Sequence, residues 1–204
     1  ATPEIYTLSL HDALPISAGR WDFGGLFPVY RMHGKTVGIV GVGRIGSRVW
    51  RKLRTFGFNF VGCDPYLDDA TRAQYDSIRW VDKETLFRQS DYVTVHTPLT
   101  DETRNLVDAQ ALAWMKSTAY LVNTSRGPMV DVDALAAALR EKRIAGAAID
   151  VFTVEPPPPD MPLFREPNCI LTPHIGWASE ESGWEIRESR SEEHTSELQS
   201  PNTI

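Results

Sequence analysis

The chain has 204 residues, 24% of them charged and 42% hydrophobic, with a formal net charge of -6 and 2 Cys, which fits one or at most two globular domains. Cys63 and Cys169 cannot supply a disulfide framework or a multi-cysteine zinc site, and such sparse usage fits a reducing, cytoplasmic compartment. The acidic balance argues against a nucleic-acid surface, and no uninterrupted apolar stretch approaches the ~20 residues that span a bilayer.

The two ends read as foreign to the rest. Tyr6–Ile16 (YTLSLHDALPI) is the direct translation of eleven codons that resemble a common sequencing-library adapter, and Ala1–Ile5 fits the adapter's upstream bases with one base changed at Pro3. Arg190–Ser200 (RSEEHTSELQS) matches eleven codons of the opposite adapter, and Pro201–Ile204 then correspond to index bases. The expected natural insert is Ala18–Ser189, with residues 1–17 and 190–204 adapter-derived and disordered. Without Glu4, Asp12, Glu192, Glu193, Glu197 and Arg190 the formal charge becomes -2, so most of the acidity lies in these ends.

From Lys35 onward, short β-branched runs alternate with amphipathic stretches, the pattern of strand–helix–strand units around a parallel sheet. Thr36–Val40 is a predicted strand that runs into Gly41-Val42-Gly43-Arg44-Ile45-Gly46. A helix follows, with Ile45, Val49, Leu53 and Phe56 on its expected apolar face, and Gly57 ends it. Asn59–Cys63 is the next strand, then a short one at Ile78–Val81, a helix around Lys83–Gln89 and a strand at Tyr92–Val95. Asp108 caps a helix through Met115, Tyr120–Asn123 is a strand, and Asp131 caps an Ala- and Leu-rich helix through Glu141. Ala145–Val151 reads as a strand, the prolines from Pro156 to Pro162 as a stiff loop, and Cys169–Leu171 as the last strand before a helix from about Ser179. No repeat appears at solenoid periods. The expectation is a single doubly wound α/β domain with a parallel sheet.

A GxGxxG pattern carries weight only between a strand and a helix, and Gly41, Gly43 and Gly46 stand there. Gly41 permits a tight turn, Gly43 lets backbone approach a pyrophosphate, and Gly46 lets the helix pack close to the sheet. The helix start near Arg44 and Ile45 offers free N–H groups and a positive dipole end to phosphates. Asp64, 18 residues after Gly46 at the end of the next strand, suits a ribose diol and repels a 2'-phosphate; the next cation is Arg72. The expected cofactor is therefore NAD rather than NADP.

Arg126, Glu155 and His174 each follow a predicted strand, at the edge where open α/β sheets bind ligands. Singly, each has an ordinary explanation as an ion-pair partner, a solvated charge or a core histidine. Together with the glycine loop they resemble the NAD-dependent D-2-hydroxyacid dehydrogenases. The segments that carry the resemblance are GKTVGIVGVGRIG (Gly34–Gly46), SDYVTVHTPLTDETRNLV (Ser90–Val107), MKSTAYLVNTSRGPMVD (Met115–Asp131), AGAAIDVFTVEP (Ala145–Pro156) and NCILTPHIGWAS (Asn168–Ser179).

The resemblance implies a Rossmann-type NAD-binding domain with most of the substrate domain missing. It implies that Arg126 binds the carboxylate and keto oxygen of a small 2-hydroxy or 2-keto acid, that His174 is the acid/base and that Glu155 pairs with it. It also places Asp150 near the nicotinamide carboxamide, Thr97, Pro98, Thr124, Ser125 and Gly176 along the cofactor, and His96 at the adenine edge. Trp177 is expected either to wall the substrate pocket or to pack the first turn of the last helix. Trp21–Tyr30 resembles the family's interdomain and dimer-contact segment, which implies a homodimeric parent enzyme, and a fragment of this extent is expected to be nearly inactive. The candidates for the parent are phosphoglycerate dehydrogenase and glyoxylate or hydroxypyruvate reductase; an NAD(H)-sensing corepressor of the same family is the alternative.

Overall fold

The computed structural model describes Gly19 and residues 31–185. The adapter-like ends and the Trp21–Tyr30 segment lie outside the described residues, as do residues 186–189, to which the closing helix was expected to run.

Seven strands form one all-parallel sheet: β1 (Thr36–Val40), β2 (Asn59–Cys63), β3 (Ile78–Trp80), β4 (Tyr92–Val95), β5 (Tyr120–Asn123), β6 (Gly146–Ile149) and β7 (Cys169–Leu171). Their order is β3-β2-β1-β4-β5-β6-β7. The chain therefore winds outward from β1 in one direction and then from β4 in the other. This reversal opens a crevice between the β1 and β4 ends, the switch point where such sheets bind ligands. Register is continuous across it, with Val40 opposite both Cys63 and Val95, and Asn123 opposite both Val95 and Ile149.

The helices are α1 (Arg44–Leu53), α2 (Asp69–Arg72), α3 (Lys83–Gln89), α4 (Ala109–Trp114) and α5 (Val132–Arg140), and residues 180–185 are also helical. Period-two alternation along β1 assigns the two faces of the sheet. Val37 and Ile39 join Trp50 of α1 and Phe60 in one core, while Val40 joins Leu86 and Phe87 of α3 in the other. The second core continues through Leu112 of α4 and Leu135 and Leu139 of α5. Leu86 and Phe87 are fully buried, each contributing about 1.5–3 kcal/mol relative to exposure.

Asp carboxylates start four of these helices. Asp68, Asp82, Asp108 and Asp131 accept from the N–H groups of Thr71, Thr85, Ala111 and Ala134 at 2.6, 2.7, 2.8 and 2.9 Å, satisfying donors that have no intrahelical partner. The two caps expected at Asp108 and Asp131 are among them. Helix α1 differs, because its N-cap is Gly43, no side chain caps it and no acidic residue occupies its first turn.

Three expectations are corrected. The buried line of α1 runs through Gly46, Ser47 and Trp50, whereas Ile45 and Phe56 are more than half exposed. The reason is that a glycine and a serine let this helix lie against the sheet, so its contact line is set by small residues that hydrophobic periodicity does not register. Strand β6 spans Gly146–Ile149 rather than Ala145–Val151, and the proline loop contains a 3-10 turn at Pro162–Arg165. Gly57, in the left-handed conformation, ends this stretch as expected, after a 3-10 turn at Arg54–Phe56 that the sequence reading did not include.

Candidate active site

The glycine loop is built by close approach. Gly41 has φ +85, and a Cβ there would stand 2.7 Å from Thr97 Cγ2 and 2.9 Å from the His96 carbonyl carbon, so only glycine fits between the β1 and β4 ends. A Cβ on Gly46 would stand 2.1 Å from the Gly41 carbonyl oxygen, which fixes the start of α1 against the turn. Gly43, by contrast, faces open space. The first backbone bond of α1 runs from Ser47 N–H to the Gly43 carbonyl at 3.0 Å. The N–H groups of Arg44, Ile45 and Gly46 precede it and are directed out of an end that carries no competing carboxylate, which suits a pyrophosphate.

Asp64 stands at the end of β2, beside this loop. Its Oδ2 accepts from Val42 N–H at 2.9 Å and its Oδ1 from Tyr66 N–H at 3.1 Å. Each carboxylate oxygen has a second acceptor position, so the group that braces the glycine loop still has capacity for a ribose diol. Arg72, the next cation in the chain, folds back to donate to the Asp64 carbonyl at 2.9 Å and stacks over Trp80 with its guanidinium 5.5 Å from the ring centre.

Past β4, Thr97 is half-buried, its hydroxyl 3.5 Å from Met129 sulfur, and Pro98 is exposed with its carbonyl accepting from Thr103 Oγ1 at 2.7 Å. His96 places Nε2 2.9 Å from Thr94 Oγ1, while its buried Nδ1 has no partner. Burial pushes the imidazole down to about 4, so this histidine is neutral at physiological pH.

The loop after β5 is shaped by Asn123, a fully buried side chain that the sequence did not single out. Its Oδ1 accepts from Ser125 N–H at 3.0 Å and its Nδ2 donates to the Arg126 carbonyl at 3.0 Å. Ser125 Oγ donates to the Val95 carbonyl at 2.6 Å, tying the loop to β4, and Thr124 is exposed. Arg126 is exposed, with Nη1 donating to the Ser125 carbonyl at 2.6 Å. Beside it, a Cβ on Gly127 would stand 2.0 Å from the Phe152 carbonyl carbon. That backbone-on-backbone contact presses the loop bearing Arg126 onto the loop bearing Glu155.

Glu155 and His174 are brought together: Glu155 Oε2 lies 2.7 Å from His174 Nδ1 and its Oε1 accepts from Phe152 N–H at 2.9 Å. The His174 contact, then the Phe152 N–H, hold the Glu155 carboxyl below its ordinary range. Both side chains remain more than a third exposed. His174 has φ +54, a left-handed conformation that a non-glycine residue keeps only when its surroundings over-determine it.

Asp150 supplies that constraint. Its carbonyl accepts from His174 N–H at 2.8 Å, its Oδ1 from Ile175 N–H at 2.9 Å and from the Thr172 hydroxyl at 2.5 Å, and its Oδ2 from Gly176 N–H at 2.8 Å. Burial pushes this carboxyl up, but the bonds from Thr172, Gly176 and Ile175 outweigh it and its pKa is lowered. A Cβ on Gly176 would approach Asp150 Oδ2 at 2.9 Å. Trp177 is 55% exposed and belongs to neither hydrophobic core. Among the described residues no cluster of metal-ligating side chains occurs, and no helix is long and apolar enough to cross a membrane.

The glycine loop, the Asp64 carboxylate and the His–Glu pair thus share the C-terminal edge of one parallel sheet. The sequence model described as "D-isomer specific 2-hydroxyacid dehydrogenase, NAD binding domain" matches residues 10–176. The chain belongs to this family. It is 45% identical over 156 residues to a glyoxylate reductase of Korarchaeum cryptofilum, covering 75% of this chain and 46% of the relative. It is 40% identical over 171 residues to a D-3-phosphoglycerate dehydrogenase of Methanocaldococcus jannaschii, covering 82% and 32%. An NAD-dependent formate dehydrogenase from Staphylococcus aureus, solved in complex with NAD, superposes with a TM-score of 0.82 at 31% identity over 93% of this chain and 57% of that one. The chain therefore spans about half the length, or less, of these relatives. As a dehydrogenase-family NAD-binding domain, it has the glycine loop and uncapped helix end that fit the cofactor.

Proposed function

We propose that the chain is the cofactor-binding part, about residues 18–189, of an NAD-dependent D-2-hydroxyacid dehydrogenase that interconverts a small 2-keto acid and its D-2-hydroxy acid. The observation that carries this reading is the 2.7 Å His174–Glu155 pair on the same sheet edge as the glycine loop. Bound NADH supplies the hydride that goes to C2 of the keto acid. His174 holds a proton on Nε2 and delivers it to the keto oxygen, and it takes the hydroxyl proton in the reverse direction. Glu155 orients the ring through Nδ1, which leaves Nε2 to face the substrate. Arg126, permanently charged and planar, receives the substrate carboxylate once its Nη1 leaves the Ser125 carbonyl. Gly43 and the first-turn N–H groups of Arg44, Ile45 and Gly46 hold the pyrophosphate, and Asp64 holds the ribose. Thr97, Pro98, Thr124, Ser125 and Gly176 line the path toward Asp150 at the nicotinamide end.

The names of the relatives favour glyoxylate, hydroxypyruvate or a phosphorylated 2-keto acid as substrate. We place the parent enzyme in the cytoplasm as a homodimer, and this chain by itself turns over poorly because a site open to water loses orientation and desolvation. The test is a chimera in which residues 31–185 replace the matching segment of the Korarchaeum glyoxylate reductase. It should oxidise NADH with glyoxylate, and His174→Gln should lower kcat by about 10²–10⁴-fold without changing NADH affinity. An active chimera indifferent to His174→Gln would refute the assignment.

A further inference from the structure

The strand order β2-β1-β4 places the loops after β2 and after β4 on opposite banks of the glycine loop. A dinucleotide that runs from α1 to Asp64 lies between those banks. Among the described residues a side-chain bond crosses from bank to bank: Tyr66 Oη donates to Glu102 Oε2. Tyr66 is 77% exposed, so this ring is held by its hydroxyl rather than by packing.

The banks differ in stiffness. Glu102 precedes Thr103, whose buried hydroxyl donates to the Pro98 carbonyl at 2.7 Å and accepts from Thr100 N–H at 2.7 Å, so the β4 bank is cross-tied. The β2 bank is anchored by Tyr66 N–H on Asp64 Oδ1 at 3.1 Å and by Arg72 on the Asp64 carbonyl at 2.9 Å, and it borders an open cavity of about 590 Å³ lined by Cys63, Asp64, Pro65 and Arg72. A loop that borders open space swings at lower cost than one packed on its neighbours. Because Tyr66 N–H is bonded to the carboxylate of Asp64, the residue assigned to the ribose, movement of the latch and engagement of the ribose are mechanically linked.

We propose that the Tyr66–Glu102 bond is a latch over the adenosine end of the NAD crevice, which opens to admit the dinucleotide and, when closed, slows its departure. The proposal rests on the crevice taking NAD as the family does. A latch retards passage in both directions, whereas a side chain that simply contacts bound cofactor alters only the departure rate.

The test is stopped-flow fluorescence of NADH with the full 204-residue chain, measuring association directly and dissociation by displacement with ADP-ribose. Tyr66→Phe keeps the ring and removes the hydroxyl, and Glu102→Ala removes the other half of the bond; both positions are exposed, and circular dichroism checks their folding. Each variant should raise both rates about fivefold, as loss of one exposed charge-assisted hydrogen bond implies, and the double variant should match the singles. Unchanged rates, a change in dissociation alone, or additive effects would overturn the latch while leaving cofactor binding intact. Failure of the unaltered chain to bind NADH would overturn the cofactor reading and the latch with it.

Discussion

The two ends of the crevice are made of different material. At the cofactor end, backbone does the work: Gly41 and Gly46 are buried, and the Asp64 side chain acts first as a brace for Val42 N–H. At the end proposed as catalytic stand three half-open or exposed side chains, Arg126, Glu155 and His174, and their loops are positioned by Asn123, Gly127 and Asp150. A nucleotide's phosphates need a fixed array of N–H groups, which close backbone packing supplies. A proton donor must instead present a solvent-reachable side chain in one orientation, and that requires buried polar anchors behind it.

Two glycines should separate these construction principles most sharply. Gly127→Ala forces a Cβ to 2.0 Å from backbone, so it should destabilise the fold by about 3 kcal/mol or more, read by denaturant unfolding. Gly43→Ala meets nothing within 4 Å; the melting curve should stay unchanged while NADH affinity, read by fluorescence, falls by at least about tenfold because the new methyl stands where pyrophosphate approaches. If the two substitutions exchanged phenotypes, the assignment of fixed and open backbone would be wrong.

Asp150→Ala comes next. It strips the acceptors of Ile175, Gly176 and Thr172, and should cost about 2–4 kcal/mol and relax the left-handed His174. Hydrogen exchange at 172–176 should rise while exchange in β1 and α1 does not. Uniform protection across both regions would contradict a loop held by Asp150.

The smallest effect belongs to His96. Its folded pKa of about 4 lies below the ordinary 6.5, so the unfolded chain binds more protons between those values and stability rises with pH across that window. The His96 contribution is complete above about 6.5, is lost as pH falls toward 4, and is on the order of 2–3 kcal/mol. His96→Gln should flatten the pH 4–6.5 slope of the unfolding free energy; an unaltered slope would mean that the imidazole is not desolvated.

Most of the sheet was legible in the sequence because strands such as β1 and β4 are apolar β-branched runs followed by Gly or by a His-Thr-Pro stop, and the Asp caps mark where the helices begin. Helix α2 was not, since four residues give no periodicity and only Asp68 announces it. The contact face of α1 was misread because Gly46 and Ser47 are small rather than apolar. At the site, Gly41, Gly43, Gly46 and Asp64 were legible because their spacing is local. Asn123 had a local signal too, an Asn ending a strand before Thr-Ser, the setting of an Asx turn. The grip of Asp150 on Gly176, 26 residues away, has no sequence spacing that reveals it, and neither does the Tyr66–Glu102 bridge.

The most direct test of the cofactor crevice is a fluorescence titration of the chain with NADH and NADPH, before and after Asp64→Ala. NADH should bind preferentially and the substitution should abolish that preference, because the carboxylate then no longer favours a ribose diol over a 2'-phosphate. A folded chain that binds both equally before the change, or keeps its preference after it, would contradict the placement of the ribose at Asp64.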